Sequence, residues 1–193
     1  MKGGPEGPKN NTDRVPEPRF PQRAEEIGRM FAVDQDMRGK SLQDDSVWDE
    51  EVDSKNTEAM KQIVAEIGWP TVSKVGKEAS HAAWLLVQHA DHDPKFQQEC
   101  LALMKQESES EVSPVDIAYL EDRIRVNTGQ GQVYGTQFHE TRDGEGNIVQ
   151  YGPRPIEDPE HIDERRAKVG LQPHAEYLRS LTEKYYPHLL KKE

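Results

Sequence analysis

Between Ala79 and Ala90 the chain carries Ala79, Ala82, Ala83, Trp84, Leu85, Leu86, Val87 and Ala90, which would be apolar almost all round a helix. A helix without a polar face is buried on every side, so the remaining elements must wrap around it. The spacing predicts this helix over about Ser73 to Ala90. Its neighbours are one-sided. A first helix from Pro21 to about Lys40 has the stripe Ile27, Met30, Phe31 and Met37. A second, with Asp53 as N-cap, carries Met60, Ile63, Val64 and Ile67 and stops at Gly68-Trp69-Pro70. Asp93-Pro94 opens a fourth helix and Ser113-Pro114 a fifth, striped by Ile117, Leu120 and Ile124. Val133, Tyr134, Thr136 and Phe138 on one side and Ile148, Val149 and Tyr151 on the other flank Asp143-Gly144-Glu145-Gly146, a hairpin pattern. Asp158-Pro159 starts a short helix closed by Gly170, and a last helix begins near Pro173. The expected fold class is α+β: a mostly helical single domain, residues 21–193, with one β-hairpin packed on the central buried helix. Residues 1–20, with Pro5, Pro8, Pro16, Pro18 and three glycines, are expected to form a disordered leader.

Charge narrows the partners. The chain has 36 acidic and 25 basic side chains, a formal net charge of -11. Nucleic acid and anionic membranes both need a basic footprint, so neither is expected as a partner. No run approaches the roughly 20 apolar residues of a membrane helix. The single cysteine, Cys100, falls among Phe96, Leu103 and Met104 and reads as core. With no intramolecular disulfide and no apolar run in residues 1–21, the expected location is cytoplasmic.

The residues that carry chemistry are polar ones on apolar stripes, placed at about 100° per residue. Asp34 falls within the face of Ile27, Met30, Phe31 and Met37, with Arg38 one turn later on its edge. A core-facing carboxylate must be paired, and Arg38 at i+4 is in reach. Asn56 extends the stripe of Met60, Ile63 and Ile67. His89 lies in the last turn of the buried helix, near its apolar edge. A helix C-terminus favours imidazolium while burial favours the neutral ring, an opposition that suits an acid/base group. Arg165 and Arg166 flank the stripe of Ile162 and Val169, and either can reach inward as an anion clamp or lie solvated on its own stem. Arg123 lies near the edge of its stripe; Asp122 points almost opposite, toward solvent or under the hairpin. Gly135 permits a bulge that brings Tyr134 and Gln137 to one side.

Catalytic signatures of known form are absent. There is no Gly-x-Ser-x-Gly elbow, no Walker loop and no dinucleotide fingerprint, so no cofactor is expected. His89 and His92 are three apart, but His92 sits in the turn Asp91-His92-Asp93-Pro94 and no His-Glu-x-x-His pattern accompanies it. No metal is expected.

Gly68-Trp69-Pro70, Gln88-His89-Ala90-Asp91, Leu120-Glu121-Asp122-Arg123 and Tyr134-Gly135-Thr136-Gln137, with Asp34-Gln35 before them and Asp163-Glu164-Arg165-Arg166 and Gly170-Leu171 after, resemble the segments of a widespread bacterial domain of unknown function. The resemblance spans about residues 25–178. It implies a shared fold and a shared site at Asp34, Gln35, His89, Asp122, Arg123, Tyr134, Gln137 and Arg166. It supplies no reaction. Together the two lines make His89 and Asp122 the catalytic candidates. Asp34, Gln35, Arg38, Arg123, Tyr134, Gln137 and Arg166 are the ligand-binding candidates. The expectation is a small enzyme, of hydrolase or lyase type, doing acid/base chemistry on a compact polar or anionic metabolite. The alternative is a non-catalytic interaction or immunity-type module whose acidic loop, residues 41–53, takes a basic protein partner. Converging His89 and arginine side chains in a pocket would favour the enzyme; an exposed apolar patch beside the acidic loop would favour the module.

Overall fold

The computed structural model describes residues 17–191. In chain order it contains α1 (Pro21–Ser41), α2 (Glu50–Ile67), α3 (Val72–Val75), α4 (Lys77–Gln88), α5 (Pro94–Met104), α6 (Pro114–Asn127), β1 (Phe138–Arg142), β2 (Ile148–Pro153), α7 (Ile162–Lys168) and α8 (His174–Tyr185), with short 3-10 turns between and after them. The fold is mostly helical α+β with one antiparallel hairpin, as the sequence pattern implies.

The apolar run is the centre of the molecule. Ala83, Leu86 and Val87 of α4, with Ala90 beyond it, meet Ile27 of α1, Met60 and Ile63 of α2, Phe96, Cys100 and Met104 of α5, and Leu120 of α6. The helix expected over Ser73 to Ala90 is in fact two pieces. Gly76 adopts φ +84°, a left-handed conformation that favours glycine, and splits it into α3 and α4. Asp53 is likewise not the N-cap of α2. Asp49 caps the helix by accepting from the Glu51 amide, which leaves Asp53 inside the helix with its side chain free for other work.

The hairpin pairs Phe138 with Pro153 and His139 with Gly152, and slips register between Thr141 and Arg142. Its expected support was the central helix. Its direct neighbours are instead α8 and the closing turn Pro187–Lys191. Contact with α4 runs through a file of rings: Phe138 edge-on to Tyr177, Tyr177 to Tyr119, and Tyr119 to Trp84. Val133, Tyr134 and Thr136, expected in the first strand, lie in a loop before it.

Of the expected leader, residues 1–16 lie outside the described residues. Residues 17–20 are part of the domain: the Arg19 and Phe20 amides donate to the carbonyls of Ser73 and Lys74 at 3.3 and 2.8 Å, and Phe20 packs on the core. A chain starting at Pro21 should therefore melt about 5 °C below one starting at Glu17, since two hydrogen bonds and one aromatic packing contact are lost. Equal melting temperatures in a thermal scan would contradict this.

Candidate functional site

Four elements converge on one end of α4. His89 is the C-cap of α4, its amide donating to Leu85 at 3.1 Å. This cap aims the imidazole across to α1, where Nδ1 lies 2.9 Å from Asp34 Oδ1. Asp34 is fully buried, and all its acceptor work is internal. Oδ1 also accepts from Arg38 Nε at 3.0 Å, and Oδ2 from Gln35 Nε2 at 2.8 Å. Arg38 then reaches α2, donating from Nη2 to Asp53 Oδ1 at 2.6 Å. Burial opposes ionisation of Asp34, but the His89 and Gln35 hydrogen bonds and the Arg38 charge outweigh it and hold the carboxyl below the usual range.

The protonation pattern follows. An ionised carboxylate only accepts, so the 2.9 Å contact places a proton on His89 Nδ1. In the neutral ring Nε2 is then an acceptor. It has no partner among the described residues, and His89 lines an open cleft of about 390 Å³ together with Arg38, Trp48, Glu50, Asp53, Ser54, Asp91, His92 and Arg123. Trp48, 42% exposed, lays its ring over the Arg38 guanidinium at 4.9 Å.

A second ion pair lines the same cleft. Arg123 on α6 grips Asp91 with two nitrogens, Nε at 2.8 Å and Nη2, and donates from Nη1 to Gln137 Oε1 at 3.2 Å. Asn127 adds a 2.7 Å bond to Asp91. Desolvation opposes the Asp91 charge, but Arg123 and Asn127 win and keep this carboxyl low as well.

Asp122 is elsewhere. It is fully buried beneath the loop after α6, where it accepts from the amides of Val133, Tyr134 and Thr136 at 2.6, 3.0 and 2.9 Å and from the Thr136 hydroxyl at 2.9 Å. Burial pushes its carboxyl up against the pull of those amides. Arg166, also fully buried, holds the same loop from α7, donating to the Tyr134 carbonyl at 2.6 Å and to Gln172 at 2.6 Å while lying over Tyr177. Arg165 takes the Val133 carbonyl at 2.8 Å. Asp122 and Arg166 thus hold the Tyr134 backbone between them, one on its N–H and the other on its C=O. Gly135 sits at φ +65°, and a Cβ there would come within 2.6 Å of the His174 ring, so the loop can close only on glycine.

The structure therefore brings together Asp34, Gln35, Arg38 and His89, and places Arg123 on the same cleft with Gln137 behind it. It sets Asp122, Arg166 and the Tyr134 backbone in a separate buried cluster that carries the loop leading to Gln137. Sequence reasoning missed Asp53, Asp91 and Trp48. Asp53 lies one turn before Asn56 on the stripe Asn56, Met60, Ile63 and Ile67, a spacing that marks it. Asp91 and Trp48 lie outside regular helix, where periodicity is silent.

Ligand atoms of Asp34, Asp53 and His89 lie within 4.8 Å of one another, the spacing of a metal site. The Arg38 guanidinium bonds to both carboxylates, so a metal ion would have to expel it.

The two depressed carboxyls give a pH prediction. A carboxyl held below its ordinary value of 3.8 contributes stability that is complete above that value and is lost as pH falls through the folded-state value. Denaturant melts should give flat stability from pH 6 to about pH 4 from these groups and a fall below it. Asp34→Asn should make that fall shallower, and an unchanged acid limb in the variant would contradict the assignment.

No curated protein and no solved structure matches the chain. Residues 44–190 match a family model described as a family of unknown function (DUF6624), a span that includes His89, Asp91, Arg123 and Gln137 but not α1. The chain belongs to that family.

Proposed function

We propose that the protein is an enzyme that moves a proton to or from a compact polar substrate at His89 Nε2. The observation that supports this best is the Asp34–His89 pair. A buried carboxylate with no free oxygen fixes one imidazole nitrogen, and the other opens on a cleft of metabolite size. The carboxylate sets the tautomer and would stabilise the imidazolium formed when Nε2 takes a proton. Arg38 and Gln35 keep the carboxylate ionised and in place. Arg123, held by Asp91 and Gln137, adds a fixed positive charge to the cleft lining. Hydrolysis, elimination and isomerisation all use such a set. Incubating the protein with a panel of small metabolites and following each by mass spectrometry tests the reading. Turnover by the wild type that His89→Gln lacks supports it; turnover kept by His89→Gln overturns it.

A second reading has its own observation. Leu42, Val47 and Trp48 are exposed, Leu42 by 89%, the first just before the acidic stretch 44–51 and the other two within it. An apolar strip edged by carboxylates suits a basic protein partner. Trp48 is shared between that strip and the cleft, so a partner docked there would cover the cleft as well.

A further inference from the structure

The ion pairs of the cleft bear on the charge of what it binds, given the proton-transfer reading above. Four carboxylates surround it: Glu50, Asp53 and Asp91 on its walls and Asp34 directly beneath His89. Two guanidiniums, Arg38 and Arg123, oppose them. Four less two leaves an excess of two negative charges with both histidines neutral. Beyond the cleft lining, Asp93 and Glu58 share Lys61, at 2.8 and 2.7 Å.

Neither guanidinium is free to act as an anion clamp. Arg38 is spent on Asp34 and Asp53, at 3.0 and 2.6 Å. Arg123 is spent on Asp91 through two nitrogens. An entering anion would meet those carboxylates and would have to break a pair to gain a counter-ion. The unspent acceptors are negative. The Glu50 carboxylate has no side-chain partner among the described residues, and Asp53 Oδ2 is likewise open. Glu50 stands in the first turn of α2.

The chemistry of an organic cation is already displayed there by Arg38, whose guanidinium lies on the Trp48 ring at 4.9 Å with carboxylates at its edges. An aromatic face with carboxylates beside it is the setting in which ammonium and guanidinium groups bind. A bare metal ion fits less well. Both oxygens of Asp34 are occupied, and the Arg38 charge sits within the carboxylate pair.

We propose that the cleft binds an organic cation, an amine or guanidinium compound of metabolite size, with Glu50 and Asp53 as its counter-ions. Calorimetric titration at low salt with butane-1,4-diamine and succinate, matched in length and opposite in charge, tests it. The diamine should bind saturably and at least tenfold more tightly than succinate. Glu50→Gln should weaken it several-fold, and Glu50→Gln with Asp53→Asn at least tenfold. Glu183→Gln on α8, far from the cleft in sequence, should leave it unchanged. Should the double variant fail to fold, Glu50→Gln alone decides. His89→Gln should bind the diamine within threefold of wild type, which separates the two readings: this result concerns charge, and turnover concerns the proton. Tighter binding of succinate, binding of neither probe, or an equal loss in Glu183→Gln overturns the proposal. So does manganese or zinc binding that the Asp53 variant abolishes and that excludes the diamine.

Discussion

His89→Gln should fold, melt within a few degrees of wild type, bind ligand, and lose turnover by roughly a hundredfold or more. Glutamine spans a similar distance and its amide can still donate to Asp34 Oδ1, so the buried carboxylate keeps its bonds to Arg38 and Gln35. It cannot take up a proton near neutral pH. The loss should fall on kcat, because the changed atom contacts a proton in transfer rather than the bulk of the ligand. His92→Gln is the control. His92 lies on the same cleft wall, three residues on, in the turn before α5, and no hydrogen bond holds its ring among the described residues. Its turnover should stay within about threefold of wild type. Equal losses in both variants would mean that shape, and not the oriented imidazole, is what the cleft supplies.

Asp122→Ala should lower stability by about 3–5 kcal/mol, the largest effect expected of a single substitution here. Three backbone amides and a hydroxyl lose their acceptor at once, in a place water does not reach. Arg166 also loses the neighbouring negative charge of Asp122. The melting temperature should fall by about 10–15 °C. Asp122→Asn keeps one accepting oxygen and should cost about half as much. Adding Arg166→Met to Asp122→Ala should recover part of the loss, since the stranded cation goes with it. Simple additivity in this double-mutant cycle would show that the two charges do not act on each other through the loop.

These two residues also mark how far the sequence can be read. The helices follow from stripe spacing, and Asp34, Arg38 and His89 stand out because they are polar where the stripe demands apolar side chains. Asp122 defeats the same reasoning. It lies opposite Ile117, Leu120 and Ile124 and yet is fully buried. What covers it is not an apolar face but backbone amides, and hydropathy does not register a peptide group. The loop that supplies those amides resembles a strand in composition, with Val133, Tyr134 and Thr136. Its hydrogen-bond partners are side chains of α6 and α7, so no neighbouring strand is needed to satisfy it. Asp53 was hidden for another reason. Asp49 and Asp53 both suit an N-cap, and only the start of α2 at Glu50 shows which of them is spent on capping.

The clamp on that loop has an implication for how the chain is made. Asp122 is synthesised early, but the carbonyls of Val133 and Tyr134 find their donors only in Arg165 and Arg166, each 32 residues further on. Until α7 has left the ribosome, the loop is held from one side only. Gln137, which steadies Arg123, stands at the end of that half-held loop. A nascent or truncated chain ending before about residue 166 would carry both ion pairs of the cleft, while the loop that leads to Gln137 would be clamped by Asp122 alone.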